Sequence, residues 1–181
     1  MTVEETYLKG CFVITPKVFK DERGYFFESF NKDVFENKTG ISLNFVQDNQ
    51  SKSNKGVLRG LHFQYEEYAQ AKLVRVVKGK VLDVCVDIRK DSLTFGRYFS
   101  IVLDNKKHQQ LFIPKGFAHG FLVLENDTIF SYKCNNYYNK DFESGIIFND
   151  KTLGINWGVL ENHLTISEKD KNLPTFNEIF K

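Results

Sequence analysis

Apolar and polar residues alternate with period two through much of this chain, and that pattern restricts it mainly to strands. In Val81-Leu82-Asp83-Val84-Cys85-Val86-Asp87-Ile88, the residues Leu82, Val84, Val86 and Ile88 share one face, while Asp83 and Asp87 share the other. Leu73-Val74-Arg75-Val76-Val77 precedes it, joined by Lys78-Gly79-Lys80, and the pair reads as a hairpin with glycine at its turn. Further strands are predicted over 11–15, 25–30, 44–50, 57–64, 97–103, 110–113, 118–124 and 128–135. Short strands at regular spacing with turn residues between them indicate an all-β sandwich or barrel. Two helical patches interrupt the pattern: 31–38, opened by Asn31 as a cap and closed by Gly40, and the C-terminal 177–180. No repeat, low-complexity tract or Pro/Gly/Ser linker divides residues 1–181, so a single domain is predicted. The best fit is an all-β, cupin-type jelly-roll β-barrel with a few short helices, a shape that holds ligands in its mouth.

Composition narrows the function classes. A hydrophobic fraction of 41% with 18 phenylalanines supplies a large core and excludes a disordered chain. The net charge of +2 and the lack of any basic run argue against a nucleic-acid partner. An anionic ligand would instead be met by local Arg and Lys side chains. The opening MTVEETYLKG lacks the apolar stretch of a signal peptide, and no apolar run approaches the roughly 20 residues of a membrane span. Cys11, Cys85 and Cys134 are odd in number, far apart and set in apolar segments. They read as buried free thiols in a reducing compartment, and a cytoplasmic location is expected.

The candidate chemistry lies in three stretches. His62 stands in Val57-Leu58-Arg59-Gly60-Leu61-His62-Phe63-Gln64. Strict alternation puts Arg59 and His62 on opposite faces, but Gly60 between them permits a bulge that turns both inward. A guanidinium beside an imidazole suits a phosphate-bearing substrate. His119 ends the tight turn Pro114-Lys115-Gly116-Phe117-Ala118-His119, of the kind cupins use to bring a histidine into the barrel. Metal-binding cupins pair that histidine with His-x-His on an earlier strand. Here the place reads His62-Phe63-Gln64, leaving only Glu66 and Glu67 as substitutes, short of the roughly three convergent ligands such an ion needs. In Phe130-Ser131-Tyr132-Lys133-Cys134, alternation sets Phe130, Tyr132 and Cys134 on one face, where Tyr132 is either aromatic core or a proton donor. Lys72 begins a strand, and its residue type alone suggests a solvated side chain.

Together these stretches closely resemble the dTDP-4-dehydrorhamnose 3,5-epimerase family, from about Gly10 to Pro174. The resemblance runs in order through Asp21-Glu22-Arg23-Gly24-Tyr25-Phe26, Phe45-Val46-Gln47-Asp48-Asn49-Gln50-Ser51, the His62 and His119 motifs, Tyr132-Lys133-Cys134 with Tyr138, and Ser167-Glu168-Lys169-Asp170. It implies a homodimeric cupin barrel that uses no cofactor and no metal. The implied reaction epimerises dTDP-4-dehydro-6-deoxy-D-glucose at C3 and C5, giving dTDP-4-dehydro-L-rhamnose. By the same resemblance His62 is the base, Asp170 its orienting partner, Tyr132 the acid on the other side of the sugar ring and Lys72 the group at the enolate oxygen. Arg23, Glu28, Gln47, Asn49, Arg59, His119, Glu143 and Lys169 match positions that hold the nucleotide diphosphate-sugar, and Tyr138 matches the residue stacked on thymine. The chain departs from the family pattern at Gly145-Ile146-Ile147-Phe148-Asn149-Asp150-Lys151, where Trp and Pro are common in place of Phe148 and Lys151. It departs again at Gly158, where proline is usual after the tryptophan.

The residue types suit such a reaction. A carbon-bound proton beside a ketone is only weakly acidic, so its removal needs a base and a cation at the developing enolate. Inversion then needs a second proton-bearing group on the far face. The alternatives are an epimerase that acts at only C3 or only C5 of a related nucleotide-linked 4-keto-sugar, a non-catalytic sugar-binding cupin, and a metal-dependent cupin oxygenase. Binding alone requires no acid opposite the base, which weighs against the non-catalytic reading.

Overall fold

A computed structural model describes residues Met1–Lys181. Its strands in chain order are β1 (Thr2–Glu5), β2 (Phe12–Thr15), β3 (Phe19–Asp21), β4 (Gly24–Phe26), β5 (Gln47–Ser53), β6 (Leu58–Gln64), β7 (Lys72–Lys78), β8 (Lys80–Asp87), β9 (Tyr98–Asp104), β10 (Gln110–Ile113), β11 (Phe117–Val123), β12 (Thr128–Cys134) and β13 (Glu143–Gly145). The helices are α1 (Lys32–Thr39), α2 (Glu168–Lys171) and α3 (Phe176–Ile179). Six strands form one sheet in the order β1-β2-β10-β7-β12-β5, and five form a second in the order β13-β6-β11-β8-β9. All strand pairs within them are antiparallel, and β3 and β4 make a separate hairpin. The two sheets face each other as a jelly roll, as the alternation predicts.

Three apolar layers hold the sheets. Between them lie Val74, Val76 and Phe130 from one sheet and Val81, Leu103, Phe117 and Phe121 from the other. The outer face of the six-stranded sheet buries Ile14, Leu73 and Phe112 under Phe35 of α1. That helix starts where the Asn31 side chain accepts a 3.1 Å bond from the Val34 amide, and it ends at Gly40, whose φ of 71° is the left-handed conformation glycine adopts without strain. Burial of a side chain such as Phe35 contributes roughly 1.5–3 kcal/mol. The back of the five-stranded sheet buries Leu58, Val84, Val86 and Leu122 against Phe148, Trp157 and Phe176.

The predicted strands all appear, shifted by a few residues at most, except that 25–30 contracts to β4. The sequence reading missed β1, β3, β13 and α2, each of four residues or fewer. Both faces of β8 are buried: Val84 and Val86 point to the back layer, while Asp83, Cys85 and Asp87 point inward and are each 0% exposed. Asp87 is satisfied there by Arg89, Ser92 and Thr94, which offset burial and hold its carboxyl down at about 2. The three cysteines are buried and free, as expected.

Candidate active site

The site is assembled from rows of inward-facing residues that the strand registers bring side by side. On the five-stranded sheet, Cys85, His119 and His62 are direct partners across β8, β11 and β6. The adjoining row is Asp83, Phe121 and Arg59. Between these rows β11 advances two residues and β6 three, so β6 carries the extra residue of a bulge. Gly60 makes this possible: its φ is 116°, and a Cβ there would lie 2.6 Å from the Gly120 Cα and 2.7 Å from the His119 carbonyl oxygen. Arg59 and His62 consequently line the same cavity despite their odd spacing. On the opposite sheet, Lys72, Cys134 and Gln47 form one row, and Val74, Tyr132 and Asn49 form the next.

Two cavities open between these walls, of about 590 and 250 Å³. His62, Lys72 and Tyr132 line both, so the junction of the two is made of these three side chains. Arg59, His119, Lys169 and Asp170 line the larger cavity, and Gln47, Asn49, Tyr138 and Glu143 the smaller. Thus eleven of the thirteen residues singled out from the sequence converge here. Arg23 and Glu28 do not. Arg23 lies exposed on the β3–β4 hairpin, paired with Asp21, and Glu28 follows that hairpin and accepts a bond from Asn31.

Each titratable group has an identifiable partner or environment. His62 Nε2 lies 2.9 Å from Asp170 Oδ1. The other Asp170 oxygen accepts from the Gly60 amide at 3.1 Å, and the Asp170 amide donates to the Ser167 cap of α2. Burial raises the Asp170 carboxyl, but the His62, Gly60 and Ser167 hydrogen bonds together hold it below the usual carboxylate value. Burial lowers the Lys72 ammonium, with Cys134, Asp83 and Glu143 pulling the other way. The exposed character suggested by its residue type is therefore wrong for Lys72. Burial raises the Tyr132 phenol, and Arg59 opposes that shift. In the smaller cavity Glu143 accepts from Tyr138 at 2.9 Å and pairs with Lys169, and these bonds outweigh burial to depress its carboxyl.

A second histidine–carboxylate pair went unread in the sequence. His119 Nε2 lies 2.9 and 3.1 Å from the two oxygens of Asp83. An aspartate at the centre of an otherwise apolar strand was the available signal, because such a carboxylate must find a partner if it turns inward. Gln64 is also explained. Its amide donates to the Tyr68 and Tyr137 carbonyls and its oxygen accepts from the Asn139 amide, which ties together the loops at the mouth. Glu66 and Glu67 lie on an exposed turn, and nowhere do three His, Cys, Asp or Glu side chains gather as a metal site would require.

A jelly-roll barrel with a histidine–aspartate pair on one sheet, and a half-buried lysine and tyrosine on the other, defines a cupin-fold enzyme equipped for proton transfer. The chain belongs to the dTDP-4-dehydrorhamnose 3,5-epimerase family, an isomerase family whose model matches residues 5–178. A dTDP-4-dehydrorhamnose 3,5-epimerase of Shigella flexneri is 54% identical over 95% of this chain and 94% of its own length. The crystal structure of the Elizabethkingia anophelis epimerase is 49% identical and superposes with a TM-score of 0.96, covering 100% of this chain and 99% of its own. A Legionella pneumophila epimerase, solved in complex with dTDP-4-keto-L-rhamnose, is 44% identical with a TM-score of 0.94, covering 98% and 94%.

Proposed function

We propose that this chain epimerises dTDP-4-dehydro-6-deoxy-D-glucose at C3 and C5, yielding dTDP-4-dehydro-L-rhamnose. The observation that carries this reading is the junction of the two cavities, where His62 and Tyr132 project from opposing sheets with Lys72 beside them. In this reading the 4-keto-sugar lies at that junction. His62 removes the proton beside the ketone, and Asp170 fixes the imidazole and stabilises the cation it becomes. The electron pair moves onto the ketone oxygen, where the Lys72 ammonium meets the developing enolate. Tyr132 returns a proton from the opposite face, and its phenolate is stabilised by Arg59. One proton leaves to His62 and one arrives from Tyr132, so exchange with water resets the pair.

Arg59, Lys169 and His119 hold the substrate in the larger cavity, while Gln47, Asn49, Glu143 and Tyr138, the last against thymine, serve the smaller one. A homodimer would give Arg23 and Glu28 a place at the partner's cavity, since they lie outside this chain's own. Residues 1–181 act as one domain without a cofactor or metal, in the cytoplasm. No helix is long and apolar enough to cross a membrane.

Incubation with the 4-keto-6-deoxy substrate in deuterated water tests the reading. The expected product carries deuterium at both C3 and C5, and the reductase of the next step then oxidises NADPH. Label at one carbon alone would make the chain a single-carbon epimerase, and binding without exchange would make it a sugar-binding cupin. Tyr132→Phe sharpens the result, since exchange should persist while inversion is lost.

A further inference from the structure

Asp170 reaches His62 from an arm that begins at the cavity rim and ends on the back of the five-stranded sheet. The arm is fastened at its front by Thr165, whose amide donates to the Gly56 carbonyl at 2.8 Å and whose carbonyl accepts from Leu58 at 3.0 Å. It is fastened at its rear by the Ile147 amide bonding the Pro174 carbonyl, by Phe176 packed into the back layer, and by Asp150. Asp150 is 4% exposed and makes no ion pair. One of its oxygens accepts from the Leu153 amide and the other from the Phe176 amide, both at 2.8 Å. A buried carboxylate with only backbone donors is costly to keep unless it fixes something. Here it joins the 150–153 turn to the arm six residues beyond Asp170.

We propose that Asp150 is a positioning residue for proton transfer: by clamping the rear of the arm it holds Asp170 within hydrogen-bond distance of His62. This rests on the reading of His62 and Asp170 as the working base and its partner. Between Thr165 and the Asp150 clamp, the span bearing Asp170 is short, and α2 is a single turn capped by Ser167. Loss of the Asp150 clamp leaves the rear of that turn held by the Ile147–Pro174 bond and the packing of Phe176 alone. Misplacement of a reacting group by about 1 Å can cost on the order of a hundredfold in rate.

The test compares solvent-exchange kinetics of Asp150→Asn, Asp170→Asn and the double variant with the parent enzyme. Asp150→Asn should lower kcat roughly ten- to a hundredfold with a smaller rise in KM, because Arg59, Lys72 and Tyr132 stand on strands the arm does not carry and only Lys169 moves with it. The double variant should be no slower than Asp170→Asn alone, since both changes act through one hydrogen bond. The downfield proton resonance of the His62–Asp170 bond should broaden or vanish in Asp150→Asn. Near-parent exchange in Asp150→Asn alongside a disabled Asp170→Asn overturns the inference alone, as do losses that multiply in the double variant. Parent-like exchange in Asp170→Asn overturns the underlying reading of the dyad. If Asp150→Asn does not fold, Phe176→Leu loosens the same fastening and must give the same non-additive pattern for the inference to stand.

Discussion

The two histidine–aspartate pairs stand on neighbouring strands of one sheet, yet they are built in opposite ways. His119 and Asp83 are both strand residues, 7% and 0% exposed, and the carboxylate offers both oxygens to one ring nitrogen. His62 is 29% exposed at the junction of the two cavities, and its carboxylate arrives on an arm 108 residues further along the chain. The buried pair is fixed by the sheet itself, packed beside Phe121 and Phe130. The open pair depends on tertiary fastening and has room for a reacting atom. The difference teaches that hydrogen-bond geometry alone does not make a base, because both pairs have it. Access to the junction and the Tyr132 hydroxyl on the facing wall, the acid of the proposed mechanism, separate them.

The sharpest way to break this comparison is to remove the open histidine. His62→Ala should lower proton exchange at both carbons by roughly 10²–10⁴-fold, read by deuterium incorporation. Exchange surviving at one carbon would mean that the His119 pair serves as a second base. The converse change is Asp83→Asn. It leaves a buried imidazole without its carboxylate, which should destabilise the fold by about 1–3 kcal/mol while exchange stays far above that of His62→Ala. Thermal melting and the exchange assay on the same sample check both halves.

Strand positions were legible in the sequence because alternation is a local property, whereas Asp170, Lys169, Glu143, Gln47 and Asn49 were reached only through the family resemblance. Period two set Tyr132 on one face with Phe130 and Cys134, and Gly60 marked the bulge that brings Arg59 round to His62. The rest depends on distant partners. β1 and β13 are short edge strands that exist through their pairing with β2 and β6. Alternation set Asp83 on one face of β8, but which face turns inward depends on the cover that residues 146–180 lay over the sheet's back, and nothing within β8 announces that cover. Lys72 looked exposed because only the facing sheet, distant in sequence, encloses it. Arg23 and Glu28 match substrate-holding positions in sequence, but a linear match does not say whose cavity they serve, and they lie outside this chain's own.

Arg59 adjoins the row that carries both histidines and sharpens the comparison more gently. Its guanidinium bonds Ser53 at 3.2 and 3.4 Å and makes no ion pair, which leaves it free to grip an anion. Arg59→Lys should weaken dTDP binding about tenfold, or about 1.4 kcal/mol, because an ammonium replaces a two-pronged donor with a point charge. Calorimetry with dTDP reads this directly, and an unchanged dissociation constant would place Arg59 outside the nucleotide's reach.

The smallest expected effect comes from a chelator, and it tests whether the two pairs are separate devices at all. A cupin reader would merge them into one metal centre, with His62 and His119 as ligands and a carboxylate completing the set. The donor arrangement opposes that merger. Each histidine already directs Nε2 at its own aspartate, and Gln64 occupies the place of a further histidine with its amide bonded inside the chain. A base must also keep a ring nitrogen free for the substrate proton, which coordination would occupy. In the proposed mechanism the Lys72 ammonium supplies at the enolate the positive charge a metal would bring. Prolonged dialysis against a chelator should therefore leave kcat unchanged. If activity were lost and a single divalent ion restored it, the two pairs would have to be redrawn as one site, with His62 and His119 as ligands and Asp83 and Asp170 orienting them.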